Sequence, residues 1–281
     1  MKDKAADFSA QSLRGLPSTL LIPLVARSKG MQWFPELDPH DEFATPVLDA
    51  LQVEVNTYLS DWATVLNVLW RTDRIKAVGH HFFAQHPLGT GINLGCGLSK
   101  YFQWLDNGLN RWIDTDVAQV VAMRHFYFKS TLHQKDIGLD FKVKGWWRKL
   151  QLSTSQARGP LLIICEGVLM YLTHEEVNAV LEEIIEHAPS GSEIVFDFIS
   201  PLGIGQAIFH QSVGPTGAQF TWGCSRAEDL TLRHPRLRVL SQRSVSEVYG
   251  LAGWVSECFT TPFLGGPLYG LAHFGIQERS A

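Results

Sequence analysis

Along the first third of the chain, apolar residues recur every three to four positions. From Asp41 to about His86 the set Val47, Leu51, Val55, Tyr58 and Leu59 keeps that spacing, as do Ile75, Val78 and Phe82, which predicts helix. His86-Pro87-Leu88-Gly89 ends the stretch, since proline cannot continue a helix and glycine punctuates one. The period then shortens. Ile92-Asn93-Leu94 predicts a strand running into Gly95-Cys96-Gly97, with a helical Tyr101-Phe102-Trp104-Leu105 behind it. After the turn Asp106-Asn107-Gly108, Arg111-Trp112-Ile113 predicts a second strand that ends in Asp114-Thr115-Asp116, and Val117 to Phe128 a helix. Leu132 to Ile137 predicts a third strand. Leu161-Leu162-Ile163-Ile164-Cys165 is a continuous apolar run of the kind buried on both faces of a parallel sheet. Thr173, with Glu176 three residues on, carries the capping-box pattern. The helix it starts bears one apolar stripe, Val177, Val180, Leu181, Ile184 and Ile185, and stops at Pro189-Ser190-Gly191. Glu193 to Phe198 predicts a fifth strand, and Arg238 to Val248 and Leu268 to Ile276 the last ones. Residues 200–236, rich in Gly and Pro with scattered aromatics, are too long for a plain connection and predict a cap.

Strand and helix alternate five times. That pattern means an α/β fold, a Rossmann-like doubly wound and mostly parallel sheet with helices on both faces. A helical N-terminal lid section (1–87, helical from about residue 15) precedes a core (88–281) with the cap insertion, all within one structural domain. In such sheets ligands sit at the carboxyl ends of the strands, so strand-end residues become the candidates.

The composition fits this picture and removes others. The chain has 281 residues, 45% hydrophobic and 19% charged, with a formal net charge of −4, which argues against disorder and against a dominant nucleic-acid footprint. No run of about 18 apolar residues predicts a membrane span, and Met1 to Asp7 has no apolar signal region. Cys96, Cys165, Cys224 and Cys258 are dispersed, as suits reduced thiols in the cytoplasm better than disulfides or a zinc site. G-x-S-x-G, a Walker A lysine, H-E-x-x-H and an Asn/Asp-Pro-Pro-aromatic segment are all missing, and no metal is expected. Nine Trp and sixteen Phe hint at an apolar cavity or cap.

Gly95-Cys96-Gly97 lets the backbone approach a ligand where a strand gives way to a helix. The dinucleotide fingerprint wants a third Gly where Lys100 stands, which counts against NAD or FAD. Asp114 and Asp116, about twenty residues on, suit ribose hydroxyls or a helix cap. Glu166, followed by Gly167, is a carboxylate at the mouth of a buried strand; it binds a cation or amine in the cleft or pairs with an Arg. Asp197 sits similarly and reads as structural. Arg71 and Arg74 suit a carboxylate clamp or a solvated helix face.

Gly15-Leu16-Pro17-Ser18-Thr19-Leu20-Leu21-Ile22-Pro23-Leu24-Val25-Ala26-Arg27 resembles the N-terminal segment of leucine carboxyl methyltransferase-like enzymes, in particular the branch of the tetracenomycin polyketide O-methyltransferase. Arg71-Thr72, Asn93-Leu94-Gly95-Cys96-Gly97-Leu98, Trp112-Ile113-Asp114-Thr115-Asp116, Cys165-Glu166-Gly167-Val168-Leu169-Met170-Tyr171-Leu172, Phe196 to Leu202 and Trp222-Gly223 extend the resemblance over nearly the whole chain. The chain departs from the family at Ser99-Lys100, where Asp-Thr-Arg is usual.

The resemblance implies a class I S-adenosylmethionine-dependent O-methyltransferase that yields S-adenosylhomocysteine. It places Arg71 on the cofactor's carboxylate, Gly95 to Gly97 beside its methionine part and Asp116 on the ribose. Asp136 and Ile137 go around the adenine, with Asp140 the alternative, and Glu166 near the amino acid end. The acceptor is a small molecule, polyketide-like or another secondary metabolite, or a peptide C-terminus, methylated on a carboxylate or hydroxyl oxygen. A carboxylate needs no base; a hydroxyl wants one, for which His210 and Tyr171 are the candidates. A non-catalytic protein that binds the same cofactor and an NAD(P)-dependent oxidoreductase are the competing readings.

Overall fold

The alternation read along the chain closes into one sheet. Its strands are β1 (Thr90–Leu94), β2 (Arg111–Asp116), β3 (Gln134–Gly138), β4 (Leu161–Cys165), β5 (Glu193–Ile199), β6 (Leu237–Ser244) and β7 (Tyr269–Ile276). They lie in the order β3-β2-β1-β4-β5-β7-β6. All run parallel except β7, which is antiparallel to both β5 and β6. The structure is a computed structural model and describes residues 18–129 and 131–278. Gly15, Leu16 and Pro17 of the N-terminal segment therefore lie outside the described residues.

The helices are α1 (Leu21–Lys29), α2 (Ala44–Leu51), α3 (Asn56–Leu59), α4 (Trp62–Gln85), α5 (Phe102–Leu105), α6 (Ala118–Tyr127), α7 (Thr154–Arg158), α8 (His174–His187), α9 (Ala227–Thr231) and α10 (Gly250–Leu264). The stretch read as continuous helix from Asp41 is thus three helices. Gln52 ends α2 in the left-handed conformation, and the Asp61 carboxylate caps α4 by accepting from the Thr64 N–H. Helix α10 follows no pattern in the sequence, because Gly250, Gly253 and Pro262 dilute its helical character. Strand β6 also stops early, in a 3-10 turn over Val245–Tyr249.

Helix α8 is the element the sequence specifies best. Thr173 and Glu176 form the reciprocal capping box. Val177, Val180, Leu181 and Ile184 are buried against Ile92, Leu94, Ile163 and Phe196 of the sheet, at about 1.5–3 kcal/mol for each side chain removed from water. On the opposite face Trp70, Ile75 and Phe82 of α4 pack with Phe102 of α5 on Leu162, Ile164 and Val195. A third cluster joins α1, α2 and α4 through Leu24, Val25, Leu48, Leu51 and Leu69. Together these place α1 and α4 beside the carboxyl ends of β1, β4 and β5. Residues 200–226 cross the same edge in loops and 3-10 turns. Among the described residues no helix is long and apolar enough to cross a membrane.

Candidate functional site

A cavity of about 500 Å³ opens at the carboxyl ends of β1, β4 and β5. Its walls are α1 (Ile22, Arg27), one face of α4 (Thr64, Asn67, Val68, Arg71), the Gly95–Ser99 loop, and Phe209, His210, Val213 and Phe220 from the cap. The α4 residues recur at i, i+3, i+4 and i+7, so one helix face serves the whole wall.

The charged groups gather at one end. Arg71 is buried; its Nε donates to Glu166 Oε1 at 2.8 Å, and its Nη1 to Asp197 Oδ2 at 2.8 Å and to the Tyr269 hydroxyl at 2.9 Å. The Tyr101 hydroxyl donates to Glu166 Oε2 at 2.7 Å, and Tyr269 to Asp197 Oδ2 at 2.6 Å. The Gly167 N–H adds a bond to Asp197 Oδ1 at 2.6 Å. Burial alone would raise the Glu166 carboxyl, but Arg71, Arg27 and the Tyr101 hydroxyl together hold it below the ordinary range. Of the two sequence readings of Glu166, the structure shows the Arg pair, made at the cavity wall. Arg71 is not fully spent. Its Nη2 has no hydrogen-bond partner among the described residues and lies beside Gly167, where a Cβ would come within 2.9 Å of it. Gly167 takes φ +67°, so both its backbone and its missing side chain make room for this nitrogen.

Arg27 is a second cation at this end, and sequence reasoning did not single it out. Its Nε donates to Asp41 Oδ2 at 2.8 Å and its Nη2 to the Leu98 carbonyl at 3.3 Å, which ties α1 to the glycine loop. The signal was present, since Arg27 closes the N-terminal segment quoted for the resemblance. Arg74, by contrast, pairs with Asp73 and does not line the cavity.

The glycine loop is built from beneath. Arg124 of α6 is fully buried, and its Nη1 donates to the Gly97 carbonyl at 2.9 Å and to that of Ser99. The same guanidinium pairs with Asp114 at 2.7 Å and with Asp136 at 3.1 Å. Two of the acids expected around the cofactor are held by this arginine. Asp114 is fully buried and also accepts from Asn93, Trp112 and Gln134, so it faces α6 and not the cleft. Asp136, its register partner on β3, sits two pairs below the strand tips and turns to the same arginine. Ile137 points to the other face and packs against the core that holds α8. Lys100, in the departure from the family pattern, lies with its Nζ 4.2 Å from the Phe43 ring centroid.

Asp116 is where the sequence placed it, at the tip of β2. Its Oδ2 accepts from the Gly97 N–H at 2.8 Å and its Oδ1 from the Val117 N–H at 2.7 Å, fixing the carboxylate over the loop. Burial raises its pKa against the opposing pull of those two N–H groups. Val117, half-exposed, follows it, and the Leu139 N–H donates to the Asp116 carbonyl at 2.8 Å. Asp140 follows directly, and its Oδ1 accepts from the Lys142 N–H at 2.9 Å. Gly95 has φ +65°, and a Cβ there would come within 2.5 Å of Val168, so only glycine keeps the turn open.

At the far end of the cavity His210 faces α4. Its Nε2 lies 3.1 Å from Thr64 Oγ1 and its Nδ1 3.3 Å from Asp61 Oδ2. Tyr171 is the weaker base of the two candidates: burial pushes its hydroxyl up to about 12, so it stays protonated at neutral pH. Phe220 stacks obliquely on Tyr171 at 5.5 Å, whereas Trp222 is buried in the core against Phe196. Among the described residues no cluster of His, Cys, Asp or Glu is placed to hold a metal ion.

The arrangement suits an elongated ligand with a carboxylate at one end and a vicinal diol at the other. Arg71 Nη2 and Arg27 offer cations beside a glycine turn, and Asp116 offers acceptor lone pairs at the neighbouring strand tip.

Comparison with known proteins agrees with this geometry. The sequence profile of the leucine carboxyl methyltransferase family matches residues 40–185. The chain is 28% identical to the tetracenomycin polyketide synthesis O-methyltransferase TcmP of Streptomyces glaucescens, over 83% of this chain and 84% of that protein. It is 25% identical to the S-adenosyl-L-methionine-dependent methyltransferase dpfgK of Gibberella zeae, over 91% of this chain and 92% of that protein. Among solved structures, a putative methyltransferase from Thermobifida fusca superposes with a TM-score of 0.55 at 13% identity, covering 87% of this chain and 98% of that one. That likeness is one of fold, the class I methyltransferase sheet.

Proposed function

The chain belongs to the leucine carboxyl methyltransferase family, and from that premise we propose that it is an S-adenosylmethionine-dependent O-methyltransferase acting on a small molecule. The cofactor is S-adenosylmethionine and the spent product S-adenosylhomocysteine. The observation that carries the reading is the unspent Nη2 of Arg71, aimed at the cavity beside Gly167 while its other nitrogens are locked by Glu166 and Asp197.

Arg71 and Arg27 hold the cofactor's carboxylate, and Glu166 sits close enough to take its ammonium. Gly95 to Gly97 pass beneath the methionine arm, Asp116 accepts the ribose hydroxyls, and Asp140 with Val117 borders the adenine. When bound, the cofactor supplies a methyl carbon already activated by a positively charged sulfur. The protein's share is alignment and exclusion of water. Helices α1 to α4 and the cap from 200 to 236 close over the acceptor, a polyketide-like or other small metabolite with a carboxylate or hydroxyl oxygen. Four free thiols support the cytoplasm as the compartment.

Calorimetry with S-adenosylhomocysteine against NADPH tests the cofactor, and methyl-labelled cofactor with a panel of phenols, carboxylic acids and peptide C-termini tests turnover. Saturable binding of the thioether nucleoside and label in at least one oxygen ester or ether are the expected outcomes. Binding of NADPH alone would overturn the reading.

A further inference from the structure

The ionisable groups of the cavity are unevenly divided. Arg27, Arg71 and Glu166 share one end, and Arg27 and Arg71 both act on the Glu166 charge. Thr64 lies two turns up α4 from Arg71, about 10 Å at 1.5 Å per residue. Around it the lining includes Ile22, Val213, Phe209 and Phe220, with Asn67 and Gln206 polar and uncharged, and His210 and Tyr171 the titratable side chains, of which Tyr171 stays protonated. No lysine or arginine among the described lining residues reaches that end. An acceptor carboxylate there would be stripped of water with no fixed cation to meet it.

His210 itself is braced. Asp61 Oδ2 lies 3.3 Å from Nδ1, and the same carboxylate accepts from the Thr64 hydroxyl at 2.8 Å, the Thr64 N–H at 3.2 Å and the Ser212 N–H at 3.1 Å. Burial acts to raise the Asp61 pKa, but the bonds from His210, Thr64 and Ser212 outweigh it, so Asp61 stays ionised at neutral pH. The Asp61–Nδ1 contact lacks hydrogen-bond geometry in the resting ring, but the fixed charge favours the tautomer with the proton on Nδ1 and leaves Nε2 as the base. In the resting protein the neighbour of Nε2 is a hydroxyl, that of Thr64, which has Asp61 as a second acceptor. Another hydroxyl can therefore replace it on Nε2 while Thr64 keeps Asp61 as its acceptor.

Resting on the methyltransferase reading above, we propose that the acceptor is an uncharged hydroxyl on an apolar, ring-bearing molecule, and that His210 is the general base that takes its proton. The acceptor O–H bond breaks and the proton passes to Nε2. The oxygen forms its bond to the methyl carbon as the carbon–sulfur bonding pair is left on sulfur, so that the sulfonium becomes a thioether. Asp61 holds the imidazolium, which returns its proton to water once the product has left. Asp61 is a positioning residue in this scheme, and its contact with Ser212 also pins the cap to the start of α4.

The test uses the full chain with 15N-labelled histidine, loaded with S-adenosylhomocysteine, and the His210 signals identified by their absence in His210→Gln. At pH 8 the ring shows Nδ1 protonated and Nε2 bare. Added 2-naphthol shifts the Nε2 signal, and 2-naphthoate needs at least tenfold higher concentration to do so. A proton on Nε2 in the resting ring overturns the proposal, as does a shift by 2-naphthoate at equal or lower concentration, or no shift with either compound. Failure of S-adenosylhomocysteine to bind in calorimetry is a separate result and sinks the methyltransferase reading instead.

Discussion

At the floor of the cavity, charges from three distant parts of the chain meet. Arg71, Glu166 and Asp197 interlock there, and Arg124 with Asp114 and Asp136 repeats the scheme beneath the glycine loop. At the roof, aromatic and aliphatic side chains surround a single histidine tied to one carboxylate. Both regions use buried charge, with different consequences. The floor pairs are buried and joined by several hydrogen bonds each, and removing one partner strands the other in a low dielectric. The roof is partly open, with Phe209 and Leu202 exposed at the cavity rim, so changes there should act on the acceptor more than on the fold.

The largest effect is expected under the floor. Arg124→Met leaves Asp114 buried without its cation and frees two loop carbonyls, so urea denaturation should show a loss of about 3–5 kcal/mol. A comparable loss from Phe209→Ala would erase the contrast between the regions. Arg71→Lys keeps the charge and abandons the fork that serves Glu166 and Asp197 at once. Calorimetry should record a fall in S-adenosylhomocysteine affinity on the order of 1.5–3 kcal/mol.

Glu166 gives the pH dependence. Its native pKa is depressed, so the stabilisation it brings is complete above the ordinary carboxylate range and is lost as pH falls through the native value. Glu166→Gln should therefore melt well below the wild type at pH 7, and the gap should close below about pH 4.5. A gap that widens in acid would show that the pair destabilises the fold. The smallest stability change belongs to Phe209→Ala. With 81% of its surface exposed, Phe209 contributes little burial, so melting should hold steady while KM for the acceptor rises.

Much of the floor was legible before the structure. Gly95, Asp116 and Glu166 stand at strand ends, and an apolar run that stops at a polar residue marks a strand end directly. That Asp114 and Asp136 pair with Arg124 below the tips carries no such mark. Sequence shows that Asp114 and Asp116 share a strand face, but which of them passes the rim depends on where β1 and β3 stop. Arg124, which claims the inner pair, sits on a helix whose pattern shows only packing residues. The roof was less legible still. Asp61 caps α4 inside a stretch whose pattern reads as unbroken helix, and nothing local says that His210, 149 positions later, comes back to it. Helix α10 was missed because its glycines and proline mask its type.

The order of strands and helices, the capped α8 and the chemistry at the strand tips follow from the chain alone, because periods of two and 3.6 and the chemistry of caps and glycine turns are local properties. The choice of partner for each buried charge does not. Arg71 meets Glu166 across 95 positions and Asp197 across 126, and such pairs form only once the sheet has removed the water that would otherwise solvate every charge equally.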